Sequence, residues 1–262
     1  GDRRREGVHH TTPAMAATLV DFVAALRPFE DDDVVVDPAV GGGVFLLAVA
    51  EAMSGDRGTR IARLRGFDID PLAVATTQAA LRLWARGAPL PHDAIRLADA
   101  LEDEWPTVPS SVVIGNPPFR SQLRGGTGRD ARRRASLARR WPEISGYVDD
   151  AAAFFLAGVD HVRDGGVIAL VQPSSVLSAR DAEPVRSRLC RDAPPVGVWI
   201  DGDQQFSAAV DTVAVFARKG RSADAVRRIT GVPGAPLPDH SPVESASWAS
   251  LLLMDTPGLA RS

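Results

Sequence analysis

Short apolar segments alternate with helix-like segments along most of this chain, and that alternation limits its fold more than any other feature. The apolar segments are predicted strands at residues 34–36, 61–67, 94–98, 111–115, 167–171, 196–200 and 212–219. Apolar residues at helical spacing lie before and between them, at residues 14–27, 44–53, 71–86, 150–163 and 181–190. Strands that alternate with helices form a parallel sheet covered on both faces. The sequence therefore predicts an α/β fold with a doubly wound, mostly parallel seven-stranded sheet.

The composition fits one large globular domain and excludes several classes of protein. The chain has 262 residues, of which 45% are hydrophobic and 24% are charged. Its net charge of −3 argues against a protein that coats nucleic acid through overall charge, although a local basic face is compatible with it. The single cysteine, Cys190, excludes an internal disulfide framework, and no Cys/His cluster has metal-ligand spacing, so no metal site is predicted. No apolar run reaches the roughly 18 residues of a membrane span, and we expect a cytoplasmic setting.

Four polar residues stand where predicted strands end. Asp37, Asp68, Asp99 and Asn116 each follow an apolar segment. In a doubly wound sheet, ligands bind beyond the carboxyl ends of the strands. We therefore expect these side chains to line one ligand site. A helix cap or an Asx turn is the alternative role for Asp99, and Asp70, which precedes a proline, is the expected N-cap of its helix.

A glycine-rich turn, DPAVGGGVFL at residues 37–46, joins the first predicted strand to a helix. Its glycines let a ligand approach the backbone, and the helix N-terminus offers free N–H groups. The turn lacks the G-x-G-x-x-G spacing of dinucleotide sites, which favours a nucleoside with an uncharged or cationic tail over a pyrophosphate. Asp68 is placed to accept hydrogen bonds from both ribose hydroxyls. Asp99 could accept a hydrogen bond from an adenine amino group.

Five motifs occur in the order HTTPAMAATLVDFV, DPAVGGGVFLLAVA, GFDIDPLA, LADAL and IGNPPF. They resemble motifs X, I, II, III and IV of the gamma-class DNA adenine-N6 methyltransferases. The similarity continues through residues 147–177 and 205–220, so that it spans about residues 7 to 220. This resemblance implies the Rossmann-like fold of class I S-adenosylmethionine-dependent methyltransferases, with S-adenosylmethionine as cofactor.

The resemblance also implies which residues contact the cofactor. Asp68 would hold the ribose, Ile69 would lie against the adenine, and Asp99 would accept from the adenine amino group. The sequence departs from the family's pattern at Val40, where cysteine is frequent, at Gly42, where serine is frequent, and at Asp68, where glutamate is usual. The full implied set, from the methionine end to the adenine, is Thr12, Pro13, Asp37, Pro38, Ala39, Gly41, Gly43, Phe45, Asp68, Ile69, Asp99, Ala100 and Asn116.

The segment Asn116-Pro117-Pro118-Phe119 is the predicted catalytic turn. The Asn116 side-chain oxygen and the Pro117 carbonyl would accept hydrogen bonds from the target amino group and so position its nitrogen for methyl transfer. The prolines stiffen the backbone and carry no competing N–H. Phe119 and, by resemblance, Phe206 would stack on a base flipped out of its duplex. The alternatives are a proline-stiffened turn without chemistry and a core position for Phe206.

Residues 120–145 contain eight arginines against Asp130 and Glu143. Because this segment follows the predicted catalytic turn, its arginines could bind nucleic-acid phosphates. A mobile, solvated loop, favoured by the glycines at positions 125, 126 and 128, is the alternative, and both descriptions can hold. The candidate phosphate ligands are Arg120, Arg124, Arg132, Arg133 and Arg134.

Residues 1–225 are the predicted methyltransferase domain, and residues 226–262 are a predicted linker or tail without a target-recognition domain. Recognition of DNA, with its flipped adenine, would then come from a separate specificity subunit or a missing domain. The leading hypothesis is methylation of adenine N6 in DNA, of restriction-modification or defence type. The alternatives are a methyltransferase of the same fold that acts on RNA or protein glutamine, and an inactive cofactor-binding subunit.

Overall fold

A computed structural model describes residues 11–119, 128–144, 150–200, 212–220 and 227–230. Within these ranges, eight strands form one sheet: β1 (Val35–Asp37), β2 (Leu64–Asp68), β3 (Ile95–Leu97), β4 (Ser110–Gly115), β5 (Val162–Pro173), β6 (Pro195–Ile200), β7 (Thr212–Arg218) and β8 (Arg227–Thr230). Their order across the sheet is β3-β2-β1-β4-β5-β7-β6-β8. Strand β7 runs antiparallel to both of its neighbours, and all other pairs are parallel.

This topology confirms the predicted fold. Strands β1 to β7 are the seven strands that the sequence predicts, and most of their pairs are parallel. The eighth strand, β8, pairs with β6 and follows the predicted end of the domain at residue 225. It is not among the predicted strands because its sequence, RRIT, has one apolar residue.

The helices are α1 (Pro13–Leu26), α2 (Val44–Ala52), α3 (Arg57–Ala62), α4 (Pro71–Trp84), α5 (Gly128–Arg140), α6 (Asp150–His161), α7 (Ser175–Ser178) and α8 (Glu183–Asp192). Two of these helices begin with a proline after a side-chain N-cap, and the cap of α4 is the expected residue Asp70. Thr12 Oγ1 accepts from Met15 N–H at 3.3 Å, and Asp70 Oδ1 accepts from Leu72 N–H at 2.9 Å. A proline in the first turn follows each cap, where its missing N–H leaves no broken hydrogen bond. No helix within the described ranges is long and apolar enough to cross a membrane.

Apolar residues cover both faces of the sheet. Successive side chains in a strand point to opposite faces. Val35 and Val112 belong to the buried cluster that contains residues of α1, α2 and α4. Their neighbours Val36 and Val113 belong to a second cluster, which contains residues of α6 and α8. Helices therefore lie on both faces, as a doubly wound sheet requires.

Apart from the start of β5 at Val162, which lies inside the predicted helix 150–163, two predictions of secondary structure are wrong. Residues 61–63 belong to α3 and to the turn after it, so the second strand begins at Leu64 rather than at Ile61. Asp56 caps this helix by accepting from Thr59 N–H at 3.0 Å. The prediction of a strand considered only the apolar residues from Ile61 onward and therefore missed this helix start. The second error concerns the arginine-rich segment, where residues 128–140 form a helix rather than a loop.

A buried ion pair joins the amino-terminal side of β1 to the end of α1. Arg27 donates to both oxygens of Asp33, at 2.6 and 2.7 Å, and Arg163 donates to Asp33 Oδ1 at 2.9 Å. Burial acts to raise the pKa of Asp33, but hydrogen bonds from Arg27, the Glu30 backbone and Ser111 hold it below its usual value. The stability that this carboxylate contributes is therefore present above the unfolded-state pKa and is lost as the pH falls through the lowered folded-state value.

Asp33→Asn is expected to lower the free energy of unfolding by about 3–5 kcal/mol, because it leaves Arg27 buried without its main counter-charge. The exposed neighbour Asp31 provides a matched control, and Asp31→Asn is expected to change stability by less than about 0.5 kcal/mol. Urea denaturation at neutral pH measures both variants. Equal stability of the two variants would show that the pair does not stabilise the fold.

Candidate active site

The turn between β1 and α2 folds back onto β2. Val40 N–H donates to the Phe67 carbonyl at 2.9 Å, and Gly43 N–H donates to the Val40 carbonyl at 2.8 Å. Gly66 makes room for the turn, since a Cβ there would lie 2.2 Å from Val40 Cγ1. Gly41 and Gly43 have φ values of 51° and 80°, which glycine adopts without strain. The shape of this glycine turn therefore depends on its close contact with β2.

Asp68 connects the end of β2 to the glycine turn. Its Oδ2 accepts from Gly41 N–H and its Oδ1 from Asp70 N–H, both at 2.9 Å. Gly41 and Gly42 are exposed, and no described residue beyond their chain neighbours lies within 4 Å of a Cβ built at either position. The turn thus presents its backbone to open space beside the Asp68 carboxylate.

Thr77 of α4 holds the glycine turn from another side. Its hydroxyl donates to the Gly41 carbonyl at 2.9 Å, and the residue is fully buried. Gly43 packs on the same side chain, because a Cβ at this position would lie 2.9 Å from Thr77 Cγ2. Gly41 therefore has its N–H bound by Asp68 and its carbonyl bound by Thr77.

The Asp37 side chain is buried at the end of β1, with 1% of its surface exposed. Its Oδ1 accepts from Ala39 N–H at 3.0 Å, while Oδ2 has no hydrogen-bond partner among the described residues. Burial raises the pKa of Asp37 to about 7 against the effect of the Ala39 hydrogen bond, and the negative charge of Asp68 adds to the rise. A buried carboxyl group with an unpartnered oxygen is costly, so this position favours a ligand that can donate or carries positive charge.

Gly115 allows Asp37 to lie against the end of β4. A Cβ at Gly115 would come within 2.5 Å of Asp37 Oδ1. Asn116 follows directly, and its Nδ2 donates to Thr11 Oγ1 at 3.0 Å. Asp37 and Asn116 therefore lie at the ends of β1 and β4, which are neighbours in the sheet. The order of the strands reverses between these two, at the point where doubly wound sheets bind ligands.

The remainder of the NPPF turn is packed against protein. Pro117 is buried and Pro118 is partly exposed. Phe119 as a whole residue is 7% exposed and belongs to the same apolar cluster as Met15 and Ala151. Phe119 thus has a packing role in this structure, and its stacking on a target base stays a prediction.

Asp99 begins a turn and is bound by α5. Its Oδ1 accepts from Leu101 N–H at 3.0 Å, so the Asx turn considered for this residue is present. Arg133 contacts both oxygens, through a short Nη1–Oδ2 hydrogen bond and an Nη2–Oδ1 hydrogen bond of 3.4 Å. The carboxylate predicted to face an adenine is therefore also paired with an arginine.

The arginines predicted to bind phosphates lie in different environments. Arg132 and Arg134 are exposed on α5. Arg133 is partly buried and paired with Asp99, which departs from the predicted phosphate contact because nearby carboxylates attract its guanidinium inward. Two further predicted phosphate ligands and one predicted stacking residue lie outside the described residues: Arg120, Arg124 and Phe206.

The predicted cofactor residues divide into those around the glycine turn and those elsewhere. Ile69 is 57% exposed next to Asp68. Thr12 caps α1, and its neighbour Pro13 is exposed. Phe45 and Ala100 are buried in the two apolar clusters. The residues that the structure brings together at the turn are Asp37, Pro38, Ala39, Gly41, Gly43 and Asp68.

Several residues that build the site are absent from the predicted set. A glycine inside a strand often marks the close approach of other atoms, and this signal could have indicated Gly66 and Gly115. Thr77 lies on the buried face of α4 with Val74 and Leu81, so its spacing resembles that of an ordinary core residue. Its role depends on where α4 meets the turn, which the local sequence does not specify.

Solved structures share this architecture. The chain is similar to the type IIG restriction endonuclease BpuSI (22% identity, TM-score 0.71, covering 87% of this chain and 27% of that one). It is also similar to a type I restriction-modification methyltransferase subunit from Streptococcus thermophilus (17% identity, TM-score 0.67, covering 94% of this chain and 52% of that one). A Listeria monocytogenes protein assigned to the class I S-adenosylmethionine-dependent methyltransferases matches at 13% identity and a TM-score of 0.66, covering 84% of this chain and 65% of that one. The fold is thus the Rossmann-like α/β fold of the class I S-adenosylmethionine-dependent methyltransferases, and the chain spans less than two thirds of each of these proteins.

The sequence comparison identifies the family. The family model described as N-6 DNA methylase matches residues 3–208, which contain the glycine turn, Asp68, Asp99 and the NPPF turn. The chain belongs to the N-6 DNA methylase family.

Thr77→Val is expected to lower the free energy of unfolding by about 1 kcal/mol, because it removes a buried hydrogen bond and leaves the Gly41 carbonyl without its donor. It is also expected to speed hydrogen exchange at the amides of Gly41 and Gly43. The exposed neighbour Thr76 provides the control, since Thr76→Val makes the same chemical change without a partner in the turn. Exchange at the turn that is the same in both variants would contradict this role of Thr77.

Proposed function

We propose that this chain transfers a methyl group from S-adenosylmethionine to the N6 amino group of adenine in DNA. The observation that carries the proposal is the placement of Asp37 and Asn116 at the ends of neighbouring strands, beside an open glycine turn. Membership of the N-6 DNA methylase family supports the same activity. The fold alone would not, because Rossmann-like sheets host many reactions.

The residues around Asp37 fit S-adenosylmethionine, which when bound supplies a methyl group on a positively charged sulfur. Asp37 Oδ2 is a buried oxygen without a partner among the described residues, and a cationic ligand would compensate it. Asp68 adds a second carboxylate within hydrogen-bond distance of the same turn. These charges would repel a pyrophosphate, so they support a cationic cofactor over a dinucleotide.

Asp68 can bind a ribose while it holds the turn. Each carboxylate oxygen has two acceptor positions. One position on each oxygen is used by the protein, for Gly41 N–H and Asp70 N–H. The second position on each oxygen could accept from one of the two ribose hydroxyls. Ile69, exposed beside Asp68, offers an apolar surface for the adenine.

Asn116 is the proposed catalytic residue. The hydrogen bond from its Nδ2 to Thr11 Oγ1 fixes the plane of the amide, so that Oδ1 is the atom that would accept from the target amino group. The Pro117 carbonyl would accept the second hydrogen. Held in this way, the nitrogen can direct its lone pair at the methyl group, and the product loses its extra proton after the transfer, so no strong base is required.

DNA and a specificity partner form the second half of the proposal. Arg132 and Arg134 are exposed on α5, close in sequence to the NPPF turn, and are proposed phosphate contacts. Arg120 and Arg124 are proposed for the same role, and Phe119 and Phe206 for stacking on the flipped base. A further subunit or domain that selects the DNA sequence is proposed because one similar structure is a subunit of a restriction-modification system.

Asn116→Ala is expected to lower the rate of methyl transfer at least about 100-fold, because it removes one of two acceptors that position the amino group. Methyl-labelled S-adenosylmethionine is supplied in parallel with duplex DNA, RNA and protein, and the label is counted in each. Label in DNA that the variant loses supports the proposal. Label only in RNA or protein contradicts it in favour of those substrates.

The same assay includes Thr11→Val as a graded control. Valine retains the shape of Thr11 but cannot accept the hydrogen bond from Asn116, so the amide stays present and is held less firmly. We expect a loss of transfer smaller than that of Asn116→Ala, and in both variants the loss of transfer is expected to exceed any loss of cofactor affinity. A loss of cofactor affinity equal to the loss of transfer would place Asn116 in cofactor binding rather than in catalysis.

Cofactor affinity is expected to rise with pH up to about 7 and then to level off. Asp37, with its pKa raised to about 7, carries a proton below that pH, and a cation beside Oδ2 favours the ionised form. Linkage then gives at most about a tenfold gain in affinity per pH unit below the pKa. Cofactor affinity is measured by calorimetric titration at several pH values from about 5.5 to 7. This range lies below the pKa of an α-amino group, so ionisation of the cofactor's own amino group does not contribute. Asp37→Asn is expected to abolish the slope, and a slope that persists in this variant would assign it to another group.

A further inference from the structure

Arg133 lies where three elements meet. It projects from α5 toward the turn after β3 and toward the start of α6. Beyond its pair with Asp99, its Nη1 lies 3.3 Å from Glu102 Oε1 and its Nε lies 3.7 Å from Asp150 Oδ2. Its side chain is 24% exposed, so these contacts are partly shielded from water. One guanidinium therefore connects α5 to the turn that contains the predicted adenine acceptor.

Other contacts seat α5 on the same turn. Arg140 Nη1 donates to the Leu101 carbonyl at 3.0 Å. Leu137 is buried in the apolar cluster that also contains Leu101. Arg133, Leu137 and Arg140 are spaced by four and three residues, so they form one face of the helix. The position of α5 thus depends on the turn at residues 99–102.

The Asp99 carboxylate has little remaining capacity for another donor. A carboxylate offers about four acceptor positions. Three are used here, by Leu101 N–H and by the two Arg133 nitrogens. An adenine amino group is a neutral donor, whereas the guanidinium forms a charge-assisted pair with both oxygens. The two donors therefore compete for the same carboxylate.

Building on the proposed function, we propose that Arg133 and the adenine of the cofactor compete for Asp99, so that cofactor binding loosens α5 from the turn. By thermodynamic reciprocity, docking of α5 through Arg133 weakens cofactor binding by the same factor. Helix α5 also carries the exposed Arg132 and Arg134. Cofactor binding would thus release the basic helix that is proposed to contact DNA phosphates. Arg133 acts in this scheme as a positioning residue.

The test measures cofactor affinity without DNA. Arg133→Gln is expected to bind S-adenosylmethionine about threefold to tenfold more tightly than the wild type, the effect of one hydrogen bond of ordinary strength. Arg139→Gln removes an equal charge from an exposed position on the same helix and is expected to bind like the wild type. Arg133→Lys keeps the charge but loses the two-pronged contact, so an intermediate affinity is expected. This variant decides the result if Arg133→Gln does not fold.

Hydrogen exchange at the α5 amides distinguishes competition for Asp99 from a purely structural role of Arg133. Cofactor is expected to speed exchange at the α5 amides in the wild type and in Arg139→Gln, and to have little effect in Arg133→Gln, where exchange is already fast. Slower exchange in α5 on cofactor binding, or weaker cofactor binding by Arg133→Gln, would show that Arg133 supports the adenine site and would overturn the inference. Failure of the wild type to bind cofactor would contradict the proposed function itself, whereas equal binding by Arg133→Gln and Arg139→Gln contradicts this inference alone.

Discussion

The close approach of Asp37 to Gly115 is the contact on which the rest of the site depends. A side chain at position 115 would collide with the Asp37 carboxylate, so the absence of a Cβ lets the ends of β1 and β4 lie side by side. Asn116 is the next residue, and it therefore stands beside Asp37 at the point where the strand order reverses. Gly66 also makes room, in the neighbouring strand β2, where the absence of a Cβ lets Val40 pack and so positions the glycine turn. Two glycines inside apolar strands thus bring together a buried acid, an open backbone turn and an amide.

Negative charge dominates this edge of the sheet. Asp37 is buried with a raised pKa, and Asp68 lies close enough to contribute to that rise. Such a pair favours a cationic ligand and disfavours a phosphate. The third acid, Asp99, differs because Arg133 neutralises it from α5. The cationic end of the proposed cofactor would therefore lie beside the negative charge of Asp37 and Asp68. Its adenine end would lie beside Asp99, whose charge is neutralised by Arg133 of α5.

Sequence patterns were sufficient for seven of the eight strands of the described sheet and for the acids at its edge. A polar residue that follows an apolar strand is a local signal, so the positions of Asp37, Asp68 and Asn116 at strand ends are predictable from the sequence alone. Helix α5 is not predictable in this way, because ion pairs and Leu137 hold it in place rather than an apolar stripe. A run of arginines also resembles a solvated loop. Thr77 lies 36 positions from its partner Gly41 in the sequence, and Arg133 lies 34 positions from its partner Asp99. Only the packing of helices brings these residues together.

The most direct test of the account is the identity of the methylated atom. Duplex DNA incubated with the chain, its specificity partner where one is required, and S-adenosylmethionine is digested to nucleosides and analysed by mass spectrometry. We expect N6-methyladenine as the product, and we expect it to be absent when Asn116→Ala replaces the wild type. Because the Asn116 and Pro117 oxygens would hold any exocyclic amino group, methylation of the cytosine amino group is the sharpest competing outcome. Methylcytosine without N6-methyladenine would contradict the assignment of adenine as the target.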